Sequence, residues 1–92
     1  PMPERLSEEG IERGLSALPR WTRNGDALSR RVMCDDFRHA MLFLNAVAYF
    51  AEQADHHPEI HNVYRTVTLT THDAGGLTAK DFDLARKIDS LL

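Results

Sequence analysis

Four of the five histidines in this chain, His56, His57, His61 and His72, fall within residues 56–72. Three of them stand among acids and hydroxyls: Glu52, Asp55, His56, His57 and Pro58 come first, then Thr71 and His72. Histidine is the side chain whose unperturbed titration lies nearest neutral pH. Imidazoles converging on one pocket therefore suit a reaction that delivers one proton and removes another, as a dehydration does. Each such group is typically worth ~10²–10⁴-fold in rate. Glu52 and His56 are four residues apart, so on a helix they share a face. A carboxylate there favours the protonated imidazole and fixes its ring. His57 follows at the helix end and points elsewhere. His72 closes a strand beside Gly75-Gly76, in the kind of scaffold-supported loop where catalytic groups concentrate.

Zinc is the competing chemistry for three histidines. The spacing argues against it: neighbours such as His56 and His57 project about 100° apart on a helix, and the usual i, i+4 histidine pair is missing. We therefore expect acid–base work with no metal and no cofactor. His39 and His61 read as surface or partner-facing residues, and Gly75-Gly76 as a turn. The single cysteine, Cys34, rules out an internal disulfide and a zinc–cysteine cluster. It reads as a small buried hydrophobe.

The elements that must position these groups are legible from periodicity. Ser7 can cap a first helix, with Glu8 and Glu9 in its first turn. Ile11, Leu15 and Leu18 fall on one face, and Pro19 stops the run. Asn24-Gly25 is a two-residue hairpin signal between strands expected at Arg20–Arg23 and Ala27–Met33. Asp35 or Asp36 caps the longest periodic segment, in which Phe37, Ala40, Met41, Leu44, Val47, Ala48, Ala51 and Ala54 recur at helical spacing. Pro58 disfavours helix in the residue before it, so this helix is expected to end near His57. Strands are expected around Ile60–Tyr64 and at Thr66–Thr71, the latter alternating polar and apolar. Thr78 and Asp81 resemble a capping box for a last helix with Phe82, Ala85, Ile88 and Leu92 on its buried face. The order α-β-β-α-β-β-α, with three amphipathic helices over one face of a four-stranded antiparallel sheet, is an α+β sandwich.

Bulk properties narrow the function classes. The chain has 92 residues, enough for one domain spanning 1–92 and not two. A core this small makes oligomerisation a common remedy. Apolar residues are 42% of the chain, which argues against disorder. A formal charge of −3 with mixed signs argues against a nucleic-acid partner. No apolar run approaches the ~20 residues of a membrane span and no signal-peptide stretch is seen, so no membrane association and a cytoplasmic location are expected.

The combined pattern resembles the pterin-4a-carbinolamine dehydratases. It is carried by Glu52-Gln53-Ala54-Asp55-His56-His57-Pro58-Glu59, then Asn62-Val63-Tyr64, then Thr71-His72-Asp73-Ala74-Gly75-Gly76-Leu77-Thr78, with Asp81 after. Leu6-Ser7-Glu8-Glu9, Trp21 and Asp36-Phe37 extend it over nearly the whole chain. The resemblance implies three helices on one side of a four-stranded antiparallel sheet. It implies a pterin substrate: dehydration of 4a-hydroxytetrahydropterin (4a-hydroxytetrahydrobiopterin) to quinonoid dihydropterin, in recycling of the tetrahydropterin used by aromatic amino acid hydroxylases. It also implies a homodimer or homotetramer. By analogy His56 and His72 would be acids toward the 4a-hydroxyl, and His57 would orient the pterin and take a proton. Glu52 would tune His56, while Asp55, Thr70, Thr71 and Asp73 would line the pocket. Two departures stand out. The stretch from Tyr64 to His72 is about two residues shorter than the family pattern, which preserves the alternation of faces. Ile60 and His61 stand where many relatives carry aromatics.

A binding role is the alternative reading. Some animal members of that family bind the dimerisation segment of a homeodomain transcription factor and act as coactivators. A pterin-related protein acting on another substrate is the third. The intact histidine set favours the enzyme.

Overall fold

The structure is a computed structural model that describes residues 4–92. Its elements are α1 (Glu8–Ser16), β1 (Thr22–Asn24), β2 (Ala27–Met33), α2 (Phe37–Ala54), β3 (Glu59–Val63), β4 (Thr66–Thr71) and α3 (Ala79–Asp89). This is the α-β-β-α-β-β-α order that the periodicity predicts.

Each helix starts where its cap stands. The Ser7 hydroxyl accepts the Gly10 N–H at 3.1 Å, and Asp36 accepts the His39 N–H at 2.8 Å. At α3 the capping box is complete: the Thr78 hydroxyl accepts the Lys80 N–H, and Asp81 returns to the Thr78 N–H. Such caps satisfy donors that a helix start otherwise leaves open.

The four strands form one antiparallel sheet ordered β1-β2-β4-β3. Two tight hairpins fix its register. Asn24 pairs with Ala27, so the first turn is centred on Gly25 and Asp26, one residue later than the Asn24-Gly25 signal suggests. Gly25 takes the positive φ of 61° that the first central position of such a turn requires. Val63 pairs with Thr66, which leaves Tyr64 and Arg65 as the second turn.

Alternation along the strands sorts the faces. Leu28, Val32, Val67, Leu69 and Thr71 are buried, whereas Arg31 and Met33 are exposed and Ser29, Thr66, Thr68 and Thr70 lie half-buried. The four apolar members of the first set join Ile11, Phe43, Val47, Phe82, Leu84 and Ile88 from the three helices in one core cluster. The helices therefore cover one face and leave the other open.

Several boundaries differ from those expected. β1 is Thr22–Asn24, not Arg20–Arg23, because Trp21 turns inward and its indole N–H donates to Asp89 at 2.8 Å. β3 is Glu59–Val63, shifted one residue back by the turn at Tyr64, whose φ is 52°. Leu92 lies beyond α3 and is exposed, as are Phe37 and Ala48, while Phe43 takes the buried position. The long helix stops at Ala54 rather than near His57, and this change reorganises the candidate site.

Candidate active site

Asp55 ends α2 in the left-handed conformation, φ 48° and ψ 46°. Its N–H closes on Ala51 and Glu52, and the His56 N–H reaches back to the Ala51 carbonyl at 3.0 Å. This is the Schellman type of helix end, built here on an aspartate, one of the few side chains that tolerate it. The reversal takes His56 off the helix face it was expected to share with Glu52. His56 instead turns into the protein, where only 7% of it remains exposed.

Inside, the His56 Nε2 lies 2.7 Å from the Thr71 hydroxyl and 2.9 Å from Asp81 Oδ1. The Thr71 hydroxyl donates to the same Asp81 oxygen at 2.8 Å. The other carboxylate oxygen of Asp81 accepts the Thr78 N–H at 2.9 Å. Asp81 has no exposed surface, so a buried carboxylate collects three donors from the helix end, β4 and its own cap. That satisfaction offsets the large cost of burying a charge.

Glu52 serves the other histidine. The His57 Nε2 is 2.6 Å from Glu52 Oε1, with both side chains more than half exposed. His72 has a matching partner in Glu59, at 3.0 Å and likewise exposed. The β3–β4 register explains why these pairs are neighbours. Glu59 pairs with Thr70, so the residues just before β3 and those just after β4 lie at the same end of the sheet. One sheet end thus gathers three imidazoles, each with its own carboxylate. Carboxylate–imidazole pairs hold a ring in orientation and set which nitrogen carries the proton.

The remaining expected pocket residues are dispersed. Asp55 is exposed at the helix cap. Asp73 folds onto its own loop, accepting the Ala74 N–H at 2.8 Å. Thr70 and Thr71 do not line one pocket: Thr71 faces the helices, whereas Thr70 faces the open side, with its hydroxyl 3.1 Å from that of Ser29. Adjacent strand residues point to opposite faces. His39 pairs with Asp36 at the start of α2, and His61 is exposed on β3.

Sequence reasoning assigned no site role to Asp81 or Glu59. Asp81 was legible as a cap and as part of the family pattern, but its contact with His56 spans 25 positions. The signal for Glu59 was available in the hairpin: counting back from the Tyr64-Arg65 turn puts it beside the end of β4.

A depression of ≈ 560 Å³ lies elsewhere, walled by residues such as Val32, Met33, Cys34, Leu42, Phe43 and Leu92, at the end of the sheet remote from Thr71. Asp35 and His39 also line it, and burial together with Asp35 and Asp36 pushes the Cys34 thiol up, away from the reactive thiolate. Among the described residues no group of three or more His, Cys, Asp and Glu side chains is arranged to hold a metal ion. No described helix is long and apolar enough to cross a membrane.

Comparisons with known proteins bear on the same residues. Residues 4–91 match the family model described as pterin 4 alpha carbinolamine dehydratase. A protein of Nocardia farcinica, provisionally named a pterin-4-alpha-carbinolamine dehydratase, is 52% identical over 90 residues, covering 96% of this chain and 95% of its own. A similarly named protein of Roseiflexus is 48% identical over 93 residues, covering 99% of this chain and 100% of its own. A crystal structure from Brucella melitensis, described as a transcriptional coactivator/pterin dehydratase, superposes with a TM-score of 0.91 at 34% identity, covering 96% and 98% of the two chains.

Proposed function

Because this chain belongs to the pterin 4 alpha carbinolamine dehydratase family, we propose that it removes water from a 4a-hydroxytetrahydropterin to give the quinonoid dihydropterin. The observation that carries this reading is the set of three imidazoles at one sheet end, each paired with a carboxylate. The chemistry needs no oxidant or reductant. The C4a–O bond breaks with its electron pair on oxygen, and a proton from an imidazolium turns the hydroxyl into water. The neighbouring nitrogen lone pair forms the C=N bond, and the ring then gives up a proton to a base. Imidazole serves in both directions near neutral pH.

His56 and His72 are the acids toward the 4a-hydroxyl in this proposal. They reach the site from different elements, which suits hydroxyls on opposite faces of a flat ring. His57, exposed and held by Glu52, orients the pterin and accepts its proton. Thr71 supports His56 from within, while Asp55 at the helix cap and Asp73 in the loop after β4 are the further candidates for contact with the pterin. No step uses a metal, so chelator-treated protein should keep its activity.

We also propose a homodimer or homotetramer, acting in the cytoplasm beside an aromatic amino acid hydroxylase. Two features support assembly. The edge strand β3 leaves Ile60 and Val63 exposed, with Tyr64 beside them, and Leu42 and Tyr49 stand exposed on one face of α2. Unpaired edges and exposed apolar patches are common sites of association. The deciding experiment is a dehydration assay with freshly generated 4a-hydroxytetrahydropterin. No acceleration over the uncatalysed reaction would refute the enzyme reading and favour a binding role.

A further inference from the structure

We infer that Asp81 and Thr71 are positioning residues that keep the proton of His56 on Nε2, so that Nδ1 is the nitrogen that exchanges a proton with substrate. The inference rests on the dehydratase reading for its consequence in catalysis, and on geometry for its content.

The Thr71 hydroxyl has one hydrogen, and it is directed at Asp81 Oδ1. Toward His56 that hydroxyl can only accept. A carboxylate also only accepts. Both neighbours of Nε2, at 2.7 and 2.9 Å, therefore require Nε2 to be the donor. A bare Nε2 would set its lone pair against a buried carboxylate. The opposite nitrogen differs: Nδ1 makes no hydrogen bond among the described residues. Among those residues no side-chain nitrogen or oxygen sealed from solvent lacks a partner, so Nδ1 keeps contact with the outside. The ring is thus anchored by one nitrogen and open at the other.

Asp81 has a second task in the same place. Its Oδ2 closes the capping box of α3, so the helix start and the orientation of His56 depend on one carboxylate. That gives a way to separate a positioning role from a merely structural one. Thr78→Ala weakens the cap but leaves Asp81 beside His56. Asp81→Asn weakens the cap and also offers the ring an amide that can donate as well as accept.

The test is two-bond ¹H–¹⁵N correlation spectroscopy of the His56 ring across its titration, with steady-state kinetics alongside. In the wild type Nε2 should stay protonated throughout, while Nδ1 alone changes from protonated to bare as pH rises. In Asp81→Asn the Nδ1–H tautomer should appear, and kcat should fall by about 10²-fold with little change in KM. Thr71→Val, which keeps the fold's volume, should lower kcat by about tenfold. Thr78→Ala should unfold more easily yet keep the wild-type ring pattern and kcat. A wild-type ring that loses its proton from Nε2, or that never releases Nδ1–H before unfolding, would overturn the inference. So would an Asp81→Asn protein with an unchanged tautomer. Should Asp81→Asn fail to fold, the wild-type spectrum and Thr71→Val decide. The spectra require no turnover, so an inactive wild type would refute the dehydratase reading without touching this assignment.

Discussion

The Glu52 carboxylate lies 2.6 Å from the His57 ring and makes no hydrogen bond to His56, although His56 is the residue four positions further along the chain. The pairing changes what a Glu52 variant should do. Glu52→Gln should behave as a mild His57 variant, raising KM more than it lowers kcat. Combined with His57→Ala it should cost less than about twofold more, since the two share one interaction. Combined with His56→Ala the effects should multiply, as independent sites do. A kinetic double-mutant cycle checks this, and strong coupling between Glu52 and His56 would contradict the geometry.

The three histidine variants should separate by kinetics and by stability. An interaction made only in the transition state lowers kcat when removed, whereas one made equally in the ground state raises KM. His56→Ala and His72→Ala should mainly lower kcat, each with a bias toward one 4a-stereoisomer, and His57→Ala should mainly raise KM. Only His56→Ala should also destabilise the fold. It removes one of three donors to a fully buried carboxylate, which costs about 1–3 kcal/mol. Urea titration reads the stability difference, and wild-type rates for both His56→Ala and His72→Ala would sink the acid assignment.

Gly14 of α1 stands against Phe82 of α3. A Cβ there would stand 2.4 Å from the Phe82 ring, and the ring is buried in the core. Gly14→Ala should destabilise by about 1–3 kcal/mol, the usual cost of overpacking. Gly10 lies in the same helix, but its Cβ would come no nearer than 3.4 Å to any neighbour. Gly10→Ala should therefore stabilise by about 0.5–1 kcal/mol. Thermal unfolding of the two variants should move in opposite directions.

Acid should act on the start of α2. The His39 N–H donated to Asp36, with the His39 ring beside it, holds the Asp36 carboxyl below the ordinary carboxylate range. A carboxyl with a lowered folded value contributes stability above its unfolded value of about 3.9, and that contribution is lost as pH falls through the folded value. Asn caps nearly as well as Asp but does not titrate. The stability difference between wild type and Asp36→Asn at about pH 5 should thus shrink as pH falls below about 3.9, through the lowered folded value of Asp36. Urea midpoints at several pH values test this, and parallel curves down to the lowest pH would contradict it.

Assembly is measurable directly. Light scattering at micromolar concentration should give a mass above the 10.4 kDa of one chain. A monomer at every concentration would remove the proposal that β3 and α2 carry subunit contacts.

Much of the fold was readable because its signals are local. The caps Ser7, Asp36 and Thr78 each bond a backbone donor within three positions. Alternation in Thr66–Thr71 reports which side of β4 is buried, because side chains of a strand point to opposite faces in turn. The same locality made the histidine set and its neighbouring carboxylates visible. Which carboxylate serves which histidine was not, because it turns on the left-handed residue at Asp55. A helix continued to His57 would have set His56 over Glu52. Ending it at Ala54 reverses the chain and sends His56 inward, to partners 15 and 25 positions away. Periodicity carries no information about contacts at such separations. They are decided only when β4 and α3 pack against the helix end, and burial then requires every charge and donor there to find a partner.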